Sequence, residues 1–433
     1  MQKLVGGIII VLVLAATGFV GAAYWSGIQA EHWYQDALTE GSKNPNIKFT
    51  TERYERGLFV SHAVTRVQLT LPEGSELKDA NPSFAVREDI YHGPLPLAGR
   101  NVPGVPMHWN GAVIRATLDV ESSTWIRELA KLYGGQEPIE VISQVSFDGA
   151  SDTQITMPSL TLSNVDDLQS LNFSGLQGQF QAAPHGAAIR GKMTVTGLEV
   201  VSKPTASEGQ STDSGNQAKF SHLIMTVDQH KGAFDLMFGG SSFKVGELRV
   251  QDQATGSPVV FTNLGIDATA SLDAKNKQQV AIEALFKADQ ITANKRSGSG
   301  SLRLALRNLD GATVAQLQQW QQKQAGKPDD PQALDELLKL VEVLLVGKPE
   351  LTLDTQAKLI NEGEWQGKLV LNFQDFDMTQ VAQNPMGLLA ALEKGLGDVV
   401  VSKTLLETEL NNMMEGKAAQ QLQSMTAAGF IRL

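Results

Sequence analysis

The chain has 433 residues, of which 42% are hydrophobic and 19% charged, so it can fold as one large or two ordinary domains. Its 36 basic and 47 acidic side chains leave a formal net charge of −11, which argues against nucleic acid or anionic lipid headgroups as general partners. Because the chain has no cysteine, it has no disulfide, no thiolate zinc site, no cysteine nucleophile and no lipid attached through an N-terminal cysteine.

The first element along the chain is an uncharged segment of 22 residues, Leu4 to Trp25. At about 1.5 Å per residue, a helix of this length spans ~33 Å and can cross a hydrocarbon core of about 30 Å. Only Lys3 and the α-amino group precede it, so the positive-inside rule predicts that the rest of the chain is exported. The anchor residues of this predicted transmembrane helix are Leu4, Ile8, Val11, Leu14, Phe19, Tyr24 and Trp25.

A cleavable signal peptide is the alternative for the same segment. Val20-Gly21-Ala22 has small residues at the positions that a signal peptidase recognises, and Lys3 is a minimal charged n-region. We favour a retained anchor, because the segment is longer than the usual apolar region of about 7–15 residues. It also ends in Tyr24 and Trp25, which suit the headgroup level of a membrane span.

After the anchor, the sequence predicts a helical continuation to about Thr39, ended by Gly41-Ser42, and strands from Ile47 onward. Alternation of apolar and polar residues is typical of antiparallel sheet with one covered face. The predicted strands are Val64–Leu69, Ala112–Val120, Val141–Phe147, Thr153–Met157, Lys192–Val201, Phe220–Val227, Ala233–Phe238, Phe243–Val250, Ser301–Leu306 and Lys368–Phe373. A long loop is predicted at Lys203–Ala218 and a tighter turn at Asn294–Gly300.

A short pattern recurs among these strands, in which two alternating apolar residues are followed by Asn, Gly or Asp and then by an apolar residue out of phase. Its copies are Leu160–Val165, Leu171–Leu176, Met193–Leu198, Val259–Leu264, Leu304–Leu309 and Leu371–Phe376. Because Asn, Gly and Asp tolerate a positive φ, the pattern predicts a bulge or a strand-end corner at each copy. Ordinary strand ends in a β-rich chain are one interpretation, and a long coiled sheet of repeated hairpins is the other.

Three stretches have helical spacing instead. Thr124–Tyr133 is the first, and Leu309–Gln324 with Pro331–Val346 forms a predicted helical hairpin. The third, Asp377–Ala428, is predicted to be helical with breaks at Pro385, Gly395-Gly397 and Gly416. In Pro331–Val346 a broad apolar stripe comprises Leu334, Leu337, Leu338, Leu340, Val341, Val343, Leu344 and Leu345.

The sequence lacks the motifs that are typical of catalytic sites. The seven histidines form no i, i+4 pair and no H-E-x-x-H motif, and G-x-S-x-G, Walker A and dinucleotide-binding motifs are absent. The sequence therefore predicts no enzymatic activity, no cofactor and no metal site. The loop Tyr91–Pro106, rich in proline and glycine, is predicted to be a stiff connection between strands, with contact to a partner as the alternative.

Several segments resemble the YdgA-like family, a largely uncharacterised group of bacterial proteins. The resembling segments are Tyr54–Phe59, His92–Leu97, Gly298–Gly311, Gly347–Leu353 and Glu415–Ile431. The resemblance implies an inner-membrane anchor and a periplasmic body, with no catalytic residues to carry over. It also implies that members extend past the equivalent of Leu433, so a sheet edge is either open or filled by other strands. Candidate surface residues from its motifs are Tyr54, Arg56, Gly57, His92, Gly93 and Pro94.

The fold expected from these observations is α+β and mainly β: a large curved antiparallel sheet of repeated hairpins with packed helices, preceded by one N-terminal transmembrane helix. Residues 1–40 are expected to form the anchor and its extension, residues 45–308 a β-rich periplasmic region, and residues 309–433 a helix-rich region that adds two strands to the same sheet. The expected function is a non-enzymatic envelope protein at the inner membrane that binds or shields a lipid or another apolar ligand. The alternative is a structural scaffold, as a homo-oligomer or as a partner of other envelope proteins.

Overall fold

The computed structural model describes residues 25–39, 41–42, 46–70, 83–93, 102, 105, 110–165, 168–203, 216–251, 257–294, 296–324, 331–374, 391–414, 423 and 426. The predicted anchor residues from Leu4 to Tyr24, together with Pro94 and the segment 375–390, lie outside the described residues. Trp25, the last anchor residue, is exposed and lies in a helix.

The described elements are mostly strands. The helices are α1 (25–39), α2 (Thr124–Leu132), α3 (Gly311–Gln324), α4 (Pro331–Val346) and α5 (Lys403–Met414). The strands are β1 (Ile47–Glu55), β2 (Val60–Leu69), β3 (Ser83–His92), β4 (Ala112–Leu118), β5 (Glu140–Val145), β6 (Ser151–Met157), β7 (Leu160–Val165), β8 (Leu168–Phe173), β9 (Leu176–Ala182), β10 (Ala188–Ser202), β11 (Gln217–Lys231), β12 (Met237–Gln251), β13 (Val259–Leu272), β14 (Gln279–Ala293), β15 (Arg296–Asp310), β16 (Glu350–Leu359), β17 (Gly363–Phe373) and β18 (Leu392–Val401).

All 18 strands belong to one large open antiparallel sheet, in which nearly every strand pairs with its neighbours in the chain. Pairing is sequential from β1 to β6 and from β10 to β18. Between these runs, β6 pairs with β9, and β7 and β8 pair with each other as a hairpin. β10 therefore pairs with β9 along its first half and with β8 along its second half. The prediction of a mainly β chain with antiparallel hairpins is confirmed.

Three details of the sequence prediction are wrong. Leu392–Val401, predicted as part of a helical region, is β18, so the C-terminal region has three strands rather than two. Gly395, Gly397 and the β-branched Val399 disfavour helix in that segment. Ala233–Asp235 is a 3₁₀ turn rather than a strand, and most of the segment predicted as a turn before Gly300 lies inside β15.

The recurring pattern marks irregular backbone, as predicted. Positive φ occurs at Asn164 (57°), Gly175 (88°), Asn263 (50°) and Asn308 (58°), whereas Asp375 lies outside the described residues. Gly197 has no such φ and pairs with Ser221, and the pairing of β10 with β11 is interrupted one residue earlier, at Thr196 opposite His222. At Asn308 the register between β14 and β15 shifts by one residue, which is a β-bulge.

The irregular positions of neighbouring strands lie beside one another in the sheet. We call them the transverse row: Gly175, Thr196, His222, Gly246, Asn263 and Asp289. The backbone N–H of Ser174 donates to the carbonyl oxygen of Gly197 at 2.9 Å. Further along, pairing skips from Val245 to Glu247 opposite Asn263, whose side chain donates to Asp289 at 3.1 Å. Because every strand is irregular at the same level, the register from β10 to β14 stays intact on both sides of the row.

Candidate functional site

One face of the sheet from β10 to β17 carries unbroken rows of apolar side chains. Directly opposed residues in antiparallel strands share a face, so the register identifies these rows. The first row is Met193, Met225, Phe243, Ile266, Phe286 and Leu302. The second row is Ala268, Ala284, Leu304, Leu353 and Leu369. The third row is Ala270, Ile282, Leu306, Leu351 and Leu371. We call the surface made by these three rows the apolar face.

The apolar face is only partly covered. Five of its large side chains, one or more from each row, remain between 36% and 41% exposed: Met225, Ile282, Phe286, Leu306 and Leu369. Scattered exposed apolar residues are normal on a protein surface, but a contiguous group marks a binding or contact site. The apolar face is therefore the strongest candidate for a functional site in the described part of the chain.

The opposite face of the same strands is polar and its charges are compensated. Arg303 donates to Glu283 at 2.7 Å and also reaches Asp354 at 3.5 Å, and Arg307 pairs with Glu350 at 3.3 Å. The hydrogen bond from the Arg303 guanidinium lowers the pKa of Glu283 below its usual range. This face has the character of an ordinary solvated sheet surface.

Helices α3 and α4 cover one end of the apolar side. Val314, Ala315 and Leu344 pack against a buried cluster of Leu236, Phe238, Val280 and Leu309. In α4, Leu345 is buried and Leu338 and Val341 are partly buried, so the predicted stripe faces the protein there. Val343, predicted to belong to the stripe, is 50% exposed instead, and the Leu334 side chain lies outside the described residues.

Helix α1 is seated on β1–β5 through a buried polar network. The Tyr34 hydroxyl is hydrogen bonded to Thr65 at 2.8 Å and to Thr51 at 3.2 Å, and Thr65 donates to Glu88 at 2.5 Å. Burial raises the pKa values of Tyr34 and Glu88. Around this network, an apolar cluster joins the helix to the sheet, and its buried members are Ala30, Tyr34, Ala63, Ile90, Ala112 and Val145.

Of the candidate residues in the first family motif, Arg56 and Gly57 are exposed, and Tyr54 is partly buried beside α1. Tyr54 packs on Tyr34 with ring centroids 5.2 Å apart, and the Arg56 guanidinium donates to Glu31 at 3.1 Å. A Cβ at Gly57 would overlap the Val60 carbonyl oxygen, so the turn there needs glycine. The contacts of Tyr54 and Arg56 hold the helix against the sheet.

The expectation that the HGP motif is on the surface is wrong for His92 and Gly93, which are buried. His92 Nε2 is hydrogen bonded to the Ser61 hydroxyl at 2.9 Å. A Cβ on Gly27 would lie 2.7 Å from the His92 ring, so a glycine in α1 lets helix and imidazole approach closely. The physical reason for burial is that His92 ends β3 on the side covered by α1.

Within the described residues, no group of three or more His, Asp or Glu side chains is arranged to hold a metal ion. None of the helices in that part of the chain is long and apolar enough to cross a membrane. Ion pairing raises the pKa of Arg296 and lowers that of its partner Glu362. In the same way, it raises the pKa of Lys287 and lowers that of Asp289.

The fold and the apolar face define a class of mainly β protein, with one large antiparallel sheet, few helices and an apolar side that is partly open. The chain belongs to the DUF945 family, described as "Bacterial protein of unknown function", which matches residues 1–432. It is similar to Protein YdgA of Escherichia coli (strain K12), with 24% identity over 332 residues. That alignment covers 65% of this chain and 64% of YdgA, so the chain matches less than two thirds of its relative. The resemblance to a YdgA-like family is thereby confirmed, and no solved structure matches the chain.

Proposed function

We propose that the protein is a non-enzymatic envelope protein, anchored in the inner membrane with its body in the periplasm, whose sheet binds the acyl chain of a lipid. The observation that carries the proposal is the apolar face, where large apolar side chains of each row remain partly exposed. The opposite face of the same strands has compensated charges, so the sheet is amphipathic across its two faces.

The dimensions of the apolar face suit an acyl chain. The first row crosses six strands, from Met193 to Leu302. At about 4.8 Å between strands, the row is ~24 Å long. An acyl chain fills one leaflet, or about half of a ~30 Å hydrocarbon core, so it fits along such a row.

The transverse row supports curvature toward the ligand. Bulges and left-handed residues bend a strand and increase its local twist. Because the irregularities are aligned across neighbouring strands, their bends add at one level of the sheet. We propose that the bend makes the apolar face the concave side, which is the geometry of a binding groove.

The N-terminal segment supports a place at the bilayer. Leu4–Trp25 has the length and composition of a membrane span, and α1 continues directly from its last residue into the seat on β1–β5. The groove would then be held close to the lipid that it binds.

A photoreactive phosphatidylethanolamine with a diazirine on its acyl chain tests the proposal. Membranes containing the full chain are illuminated and the labelled peptides are identified by mass spectrometry. We expect labels on peptides that contain Met225, Phe286 or Leu306. Labels confined to the polar face or to the N-terminal segment would contradict acyl-chain binding by the sheet.

A matched pair of variants in β14 sharpens the test. Phe286→Gln replaces a side chain that is 38% exposed on the apolar face, whereas Leu285→Gln changes its neighbour on the other face. Phe286 leaves about 75 Å² for the ligand to cover, worth up to ~2 kcal/mol. We therefore expect Phe286→Gln to reduce labelling up to about thirtyfold, and Leu285→Gln to leave it within twofold.

A further inference from the structure

Strand β18 has an unusually accessible edge. Every residue from Glu393 to Val400 is exposed, and Leu396, Val399 and Val400 are 54%, 62% and 60% exposed. Gly395 and Gly397 have no side chain, so their exposure is that of the backbone itself. Among the described strands, β18 pairs residue by residue with β17 along one edge, and no residue pairing joins its other edge to a described strand.

The opposite end of the sheet is protected in a way that β18 is not. β1 has a register shift between Thr51 and Arg53, and it carries the charged residues Lys48, Glu52, Arg53 and Glu55. Bulges and charges discourage pairing with another strand. The register shift of β18 lies at its first residues, between Leu392 and Lys394. From Lys394 to Val401 it pairs regularly with β17, and this stretch carries two charged residues, Lys394 and Asp398.

We propose that β18 is an interface at which two copies of this chain join their sheets by antiparallel pairing of β18 with β18. A two-fold axis at Leu396 places Lys394 of each copy opposite Asp398 of the other. In the same register Leu396 faces its own counterpart. Opposite charges and apolar pairs at directly opposed positions both stabilise an antiparallel pair.

The charge pattern selects this register from its neighbours. A shift of the pairing by one residue in one direction places Glu393 opposite Asp398, which is repulsive. A shift in the other direction places Lys394 opposite Val399 and Asp398 opposite Gly395, with no ion pair. The symmetric register also keeps each face continuous, because opposed residues in antiparallel strands lie on the same side.

A single introduced cysteine tests the proposal, since the natural chain contains none. Opposed residues in antiparallel strands have Cα atoms about 4.5–5.5 Å apart, within the range that a disulfide spans. In Leu396→Cys the two thiols meet on the axis, so we expect a covalent dimer when membranes containing the full chain are mildly oxidised. In Val400→Cys the two thiols lie eight residues apart, about 27 Å, so we expect no dimer. Both side chains are exposed, so neither change disturbs packing.

Charge reversal provides a second measurement. Lys394→Glu and Asp398→Lys, each added to Leu396→Cys, place like charges opposite one another and should reduce the covalent dimer severalfold. The double reversal restores opposite charges and should restore the dimer. No dimer in Leu396→Cys, equal crosslinking of Val400→Cys, or no rescue by the double reversal would each overturn the proposal. Lipid labelling of the apolar face is a separate readout, so the two proposals can fail independently.

Discussion

The Tyr34 hydroxyl is predicted to contribute to holding α1 on the sheet. Its hydrogen bonds to Thr65 and Thr51 are lost in Tyr34→Phe, while the ring stays in place. A neutral hydrogen bond contributes about 1 kcal/mol net to stability. The buried Thr65 hydroxyl also loses one of its hydrogen-bond partners, which adds to the cost. We therefore expect the docking of α1 to be destabilised by about 1–2 kcal/mol.

Thiol labelling can measure this docking directly. Val145 is buried in the cluster beneath α1, so Val145→Cys is a reporter that becomes reactive when the helix lifts. When the helix recloses faster than the thiol reacts, the labelling rate follows the population of the open state. A loss of about 1–2 kcal/mol then corresponds to a labelling rate roughly 5–30 times faster in Tyr34→Phe.

The matched control is Tyr133→Phe. Tyr133 lies at the end of α2, and the pKa of its hydroxyl is raised by burial alone. Its removal should leave the labelling rate of the reporter unchanged. An unchanged rate in Tyr34→Phe, or an equal increase in Tyr133→Phe, would refute the reasoning that this hydroxyl holds the helix.

Two further predictions concern the carboxyl under α1 and the transverse row. Burial raises the pKa of Glu88 in the folded chain, so ionisation of Glu88 destabilises the fold as the pH rises through that pKa. Glu88→Gln should therefore raise the free energy of unfolding at neutral pH and lose this advantage below about pH 4.5; urea titrations that show no pH-dependent difference would contradict this. At Asn263, where φ is +50°, replacement by alanine should cost about 1 kcal/mol relative to replacement by glycine. Thermal unfolding of both variants measures the difference, and equal stability would show that the left-handed backbone carries no cost.

Local patterns predicted what depends on local physics. The pattern around Asn308 and Asn263 requires a residue that tolerates positive φ, so sequence alone located these irregularities. Pro331 and the apolar spacing that follows it predicted α4 with its observed bounds. Several strands were predicted too short, because residues near strand ends, such as those of β11 beyond Val227, are polar on both sides. No strand was predicted over β3, β9 or β14.

What sequence could not supply depends on pairing between distant segments. The alignment of His222 with Gly246 and Asn263 appears only when the register of three hairpins is known. The continuity of the apolar face has the same origin, since each strand shows only its own alternation. His92 was placed on the surface because nothing in a Gly-Pro motif reveals that a helix from the start of the chain will cover it.

The sequential pairing of the strands has a consequence for how the protein can be built. Each strand from β11 onward needs only the strand before it in the chain as a template, so the sheet can grow one hairpin at a time in the order of synthesis. Apart from the β15–β16 connection, which contains α3 and α4, most contacts of this kind close short loops and avoid the slow search that distant pairing demands. At each stage the growing edge is the newest strand, and β18 is the last strand of this series.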